Sequence, residues 1–285
     1  MAFSLFGRKK GGTEEKAEMS FIDHLEVLRG HLFRSVLFIV AGMIVAGIYN
    51  EFIVDKIVLG PIHEDFVTFK KICEWGHLIG LGDKMCIGKI GVTMQNVDTT
   101  GQVSLFFTSL FVGGFIMAFP FVFREFWKFV KPALTKKELN KTRGVIFWVS
   151  FLFFIGVLFG YFILMPFSMN FLATFTMSDS IENIWTIKSY IGTMMPLVLG
   201  SGLAFQMPLV IFFLAKIGIV SGSFLRKNRR YAIVVILIIA AIITPPDVIS
   251  QVIVTLPLWL LYEISIVLAS GVEKQKALEE KEEWS

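Results

Sequence analysis

Apolar and polar residues in this chain are segregated into long blocks rather than alternating. Six stretches are almost wholly apolar: His31–Tyr49, Val103–Phe123, Gly144–Phe167, Tyr190–Ala215, Tyr231–Thr244 and Ser250–Ser270. A helix needs about 20 such residues to cross roughly 30 Å of hydrocarbon. Neither a two-residue period nor a one-sided helical stripe describes these blocks. The pattern predicts an all-α integral membrane protein with six transmembrane helices, the last two of them short. The fifth block has only 14 residues, about 21 Å of helix, and spans only where the bilayer thins or protein shields its ends. Pro245 and Pro246, between the fifth and sixth blocks, end one helix in a tight turn. A re-entrant hairpin over Tyr231–Ser270 is the competing reading.

The connections carry the orientation. Of 27 Lys and Arg residues, 20 lie in segments 1–30, 124–143, 216–230 and 271–285. Only six lie in 50–102, 168–189 and 245–249, although the two sets have equal total length. Basic connections mark the cytoplasmic side, so both termini are expected there. Residues 1–19 read as a flexible cytoplasmic tail, 20–270 as the membrane domain and 271–285 as a second cytoplasmic tail, frayed from Ala277. Arg8, Lys9 and Lys10 are followed by glycines and charges, which does not match a secretory signal.

Composition narrows the class further. The 285 residues are 55% hydrophobic and 18% charged, with a mean hydropathy of +0.70, where soluble domains carry about 25% charge. A disordered chain, a disulfide-stapled secreted domain and an ordinary soluble enzyme are excluded. The net charge of +4 reads as a topology signal assisted by anionic lipid headgroups, with no nucleic acid implied.

No motif points to catalysis or to a cofactor. There is no phosphate-binding glycine loop, no H-E-x-x-H and no nucleophile elbow. Cys73 and Cys86 fall in the long outer connection, where an oxidising compartment permits a disulfide across a 12-residue interval and free thiols are the alternative. With only His77 nearby they make a poor zinc site, and no metal is expected.

Four polar features stand out against the apolar background. Ser20-Phe21-Ile22-Asp23 resembles a helix-capping start, and Glu26 and Arg29 beyond it have the spacing of a surface ion pair. Phe126 to Glu138 interleaves aromatics with lysines, as an interfacial anchor does. Glu138 there is either a surface ion-pair partner or an acceptor for an incoming cation. Gln206 and Glu263 lie within apolar blocks, where polar side chains need protein or water partners: inter-helix bonding and a functional site compete. Thr244 to Gln251, with Pro245, Pro246 and Asp247, reads as an outer turn followed by a capped helix.

Taken together, these blocks resemble the TatC family, the multispanning subunit of the twin-arginine protein translocase. His24-Leu25-Glu26-Val27-Leu28-Arg29 is similar to its H-L-x-E-L-R start, and Phe129 to Glu138 to its F-x-x-P-x-L-x-x-x-E loop. Gly160-Tyr161 to Pro166, Phe205-Gln206-Met207-Pro208 and Arg229-Arg230-Tyr231 match further signatures. Thr244 to Gln251 followed by Leu261-Tyr262-Glu263 is the strongest match. The resemblance implies a bacterial inner-membrane receptor that binds Arg-Arg signal peptides of folded precursors. It also implies recruitment of small single-span subunits, homo-oligomers within the receptor complex, and transport driven by the proton-motive force. The signal-peptide site it implies is Glu138, assisted by Glu26, with Phe129 beside them. Arginine forks suit carboxylates in a way that lysine does not. Two positions depart from the family: its first-helix acid falls on Val27, one residue after Glu26, and its fourth-span acid is Gln206.

Two other functions compete with this reading. An ion-coupled small-solute transporter would use Glu263 and Gln206 as a midplane site, although no internal repeat or matched pair of interrupted helices is visible. A membrane scaffold would need no binding residue at all.

Overall fold

The computed structural model describes residues 21–63, 65–78, 80, 94–131, 144–178, 180 and 183–283. Ten helices carry the architecture: α1 Phe21–Ile48, α2 Val67–Leu78, α3 Gly101–Val130, α4 Val145–Phe159, α5 Met165–Thr174, α6 Ile187–Ala204, α7 Met207–Ile217, α8 Gly222–Lys227, α9 Arg229–Ile243 and α10 Val248–Glu283. Among the described residues, five continuous or nearly continuous helical stretches are long and apolar enough to cross a membrane: Glu26–Ile48, Gly101–Val130, Val145–Thr174, Ile187–Ile217 and Val248–Leu278. They coincide with five of the six blocks read from the sequence. The remaining block forms α9, 15 residues or about 22 Å long.

One expectation about the C-terminal part is corrected. The last helix is not short: α10 has 36 residues. It runs on past residue 271 and ends at Glu283. The reason is local. Past Gly271 the sequence Glu-Lys-Gln-Lys-Ala-Leu consists of strong helix formers with no proline to stop it.

Small residues set how closely the long helices approach. A Cβ on Gly114 of α3 would lie 2.6 Å from the backbone nitrogen of Met43 in α1. The α4–α6 crossing is equally tight: a Cβ on Gly156 would sit 2.7 Å from the Ser201 carbonyl oxygen, and Ser201 Oγ donates to the Gly156 carbonyl at 2.7 Å. In a bilayer, helix association relies on such close packing because lipid removes the usual hydrophobic drive. Aromatic stacking fills the centre, where Phe153 is fully buried against Phe119, with centroids 3.5 Å apart.

Two spans are locally irregular. Residues Gly160–Leu164 widen into a π-helical turn between α4 and α5. Pro208 lacks the N–H needed to continue a helix from Ala204, and the chain tightens so that Gln206 N–H donates to the Leu203 carbonyl at 3.0 Å. This separates α6 from α7, an interruption that the sequence reading did not include.

At one end of the bundle, the connection after α1 folds back over the helices through a π-helical segment, Ile53–Val58, and α2. Three hydroxyls anchor it: Tyr161 to the Ile57 carbonyl at 2.8 Å, Tyr190 to that of Val58 at 2.5 Å, and Thr68 to that of Phe162 at 2.6 Å. Met94–Gln95 and Trp185–Thr186 add a short parallel strand pair. Cys73 is disulfide-bonded; Cys86 lies outside the described residues. The opposite end collects the start of α1, the end of α3, α8, the start of α9 and the end of α10. Arg29, Arg124, Lys128, Lys227 and Arg230 make it the basic end.

Candidate functional site

At the basic end, α1 and α3 meet around one acid that the sequence reading passed over. Glu125 is 3% exposed, and burying a carboxylate is costly unless it is paired and hydrogen-bonded. It is both. His31 Nδ1 lies 2.8 Å from Glu125 Oε2, and Arg34 Nη1 lies 3.7 Å from the same oxygen. Lys128, one turn along α3, donates from Nζ to Oε1 at 2.5 Å. The His31 ring meets Phe129 edge-on, with centroids 6.4 Å apart.

Helical spacing orders the cluster. Val27 and His31 are four residues apart and share one face of α1, while Glu125 and Phe129 share one face of α3. Glu26 is exposed and turned about 100° from Val27 around the helix. Among the described residues no Glu26–Arg29 ion pair forms. Glu138 lies outside the described residues. Of the three residues expected at the site, the structure therefore puts Phe129 beside α1 and leaves Glu26 on a different face. The sequence did hold a signal for the missed acid: Arg34 stands alone inside an apolar block, and Glu125 is the first acid past the end of the next one.

Trp127, buried on α3, packs with its ring tilted against Phe213 of α7, centroids 5.2 Å apart, and ties the site to the fourth span. The intramembrane polar residues have separate partners. Gln206 Nε2 donates to the Val149 carbonyl at 3.2 Å, while its Oε1 is buried without a hydrogen-bond partner among the described residues. Glu263 pairs through Oε2 with Arg229 at 2.6 Å, and the neighbouring Tyr262 hydroxyl donates to the Leu225 carbonyl at 2.8 Å. Glu263 therefore faces the basic end rather than Gln206. In the 244–247 turn, Asp247 Oδ1 accepts from Ser250 N–H at 2.5 Å and caps α10.

A cavity of about 1040 Å³ lies between α1, α3, α4, α6 and the connection after α1, lined by Val45, Val112, Met117, Val157 and Met194. Lys56, His63 and Asp65 mark its polar rim. The Lys70 ammonium, 2.8 Å from Asp65, holds that carboxyl below the usual carboxylate range. Among the described residues no group of three or more His, Cys, Asp or Glu side chains could hold a metal ion.

Long apolar helices, small-residue crossings and a charged site at one end define a multi-pass α-helical membrane protein. The sequence model of the Sec-independent protein translocase protein (TatC) matches residues 23–257. The TatC protein of Blattabacterium sp. subsp. Periplaneta americana is 40% identical over 263 residues, covering 92% of this chain and 99% of the relative. That of Desulforapulum autotrophicum is 36% identical, covering 95% and 91%. Two solved structures described as twin arginine translocase receptor TatC superpose with TM-scores of 0.66 and 0.68 at 29% and 30% identity. They cover 88% and 86% of this chain, and 99% of each solved chain is matched. The chain belongs to the TatC family. It is a component of the Sec-independent twin-arginine translocase and a multi-pass inner-membrane protein.

Proposed function

We propose that this chain is the receptor subunit that binds Arg-Arg signal peptides of folded precursors and helps move them across the membrane on the proton-motive force. The observation that carries this reading is the His31–Phe129 contact. It joins the two segments bearing the family's binding motifs at the end rich in Lys and Arg. In this reading that end is cytoplasmic, α9 is a sixth, short span, and both termini lie inside.

Glu138 follows Phe129 by nine residues and receives the arginine pair, with Glu26 assisting. A guanidinium donates two parallel hydrogen bonds to one carboxylate, whereas an ammonium acts as a point charge, so Lys-Lys binds less well. The apolar cavity beside α1 and α3 suits the hydrophobic segment that follows the pair. Small single-span subunits and further copies of this chain complete the working complex. Cys73 and Cys86 pair with each other in the outer connection.

Replacing Glu138 by Gln and crosslinking an Arg-Arg precursor to the protein in membrane vesicles tests the assignment. Crosslinking is expected to fall about tenfold, the loss of one strong charge-assisted contact; unchanged crosslinking refutes the role of Glu138.

A further inference from the structure

We propose that Glu125 is an additional arginine acceptor in the signal-peptide site, and that Arg34 is the chain's own stand-in for the incoming guanidinium. This deepens the receptor reading above and rests on it.

Position comes first. The family's first-helix acid is missing at Val27. Val27 shares a face of α1 with His31, and His31 Nδ1 sits 2.8 Å from Glu125. Glu125 thus supplies a carboxylate one turn deeper on the face where the acid is absent, beneath Phe129. Glu26 lies about 100° around the helix from that face.

Access comes second. The Glu125 side chain is 4% exposed, but the cations covering it face outward: Arg34 is 62% exposed and Lys128 42%. A ligand reaches the carboxylate when these flexible side chains swing aside, and no helix has to move. Glu125 is therefore covered rather than walled in.

The third point is how the covering groups are held. His31 and Lys128 hydrogen-bond to Glu125. Arg34 does not: at 3.7 Å its guanidinium is within ion-pair distance but beyond a hydrogen bond. With its own side chain mostly in the open and no hydrogen bond to the acid, Arg34 is the most readily exchanged of the three. Arg34 already places a guanidinium beside the acid, in the arrangement a signal-peptide arginine would improve by closing to hydrogen-bond distance. Replacing one guanidinium by another leaves the charge of the cluster unchanged. A cluster that already holds Arg34 and Lys128 thus gains no charge when another guanidinium takes the place of Arg34.

The alternative is a purely structural lock between α1 and α3, and the two roles give opposite signs for one substitution. Full-length protein with its partner subunits is tested in membrane vesicles, with crosslinking of Arg-Arg and Lys-Lys precursors as the readout. Arg34→Ala removes the competitor and is expected to raise Arg-Arg crosslinking about two- to fivefold at sub-saturating precursor. An unchanged or lowered value overturns the proposal. Glu125→Gln is expected to reduce the preference for Arg-Arg over Lys-Lys by about tenfold, and an unchanged ratio also overturns it. If Glu125→Gln fails to accumulate, the Arg34→Ala sign still decides. Glu138→Gln, run alongside, separates the two levels. Loss of binding there with no effect at Arg34 or Glu125 rejects only the present inference. If the Arg-Arg preference is already absent in the unmodified protein, the receptor reading itself fails.

Discussion

Gly42 of α1 and Gly114 of α3 touch backbone to backbone, so that a Cβ on Gly42 would collide with the Gly114 carbonyl oxygen. This contact fixes how the first helix lies against the helix that carries Glu125 and Phe129. The remainder of α1 is largely uncovered: only 6% of its apolar window is buried.

Gly42→Val is therefore expected to destabilise the protein by about 1–3 kcal/mol, the usual range for overpacking. Gly30→Ala is the control, since a Cβ there meets nothing within 4 Å. Thermal unfolding in detergent measures both. Equal midpoints for the two variants would contradict the close approach.

The α4–α6 crossing separates a hydrogen bond from a steric fit. Ser201→Ala removes the bond to the Gly156 carbonyl and is expected to cost only about 0.6 kcal/mol, the average for such bonds between membrane helices. Gly156→Leu forces a side chain into the Ser201 backbone and is expected to cost several times more. Denaturant unfolding of the two variants checks the order.

Arg229 and Glu263 join α9 to α10 at 2.6 Å, but Arg229 is 47% exposed. A pair so open to solvent is worth about 0–1 kcal/mol. A double-mutant cycle with Arg229→Ala and Glu263→Ala is expected to give a coupling energy in that range. A coupling of about 3 kcal/mol or more would mean a dry, buried pair instead.

The connection after α1 is expected to depend on its cysteines. If Cys73 pairs with Cys86, untreated protein takes up no thiol reagent and reduced protein takes up two equivalents. Cys73→Ser is expected to lower stability by about 3 kcal/mol for an interval of this length. Thiol labelling with mass detection decides the pairing, and labelling of Cys86 before reduction would rule it out.

Much of this was readable from the residues, for reasons that differ by element. Long apolar blocks locate spans because lipid imposes a minimum length, and five of them lie where the blocks lie. Tyr231–Thr244 was read as 14 residues and forms a helix of 15, since Pro245 ends it. The helix past residue 271 is hard to read because charge suggests a frayed end, although Glu, Lys, Ala and Leu also favour helix. The interruption at Gln206 depends on one missing N–H at Pro208, which a hydropathy pattern does not register. Glu125 was overlooked because a single acid at the edge of an aromatic run looks like a surface residue. Only the packing of α1 against α3, a contact between residues 94 positions apart, reveals it as buried and paired.

The central claim is that this chain selects passengers by a pair of arginines at its basic end. The direct measurement is export of a folded reporter by cells in which this chain is the only protein of its family, with the reporter's signal bearing either Arg-Arg or Lys-Lys. Efficient export of the Arg-Arg reporter, loss of most of it with Lys-Lys, and a comparable loss in the Glu138→Gln protein are expected. Equal export of both reporters would contradict the account.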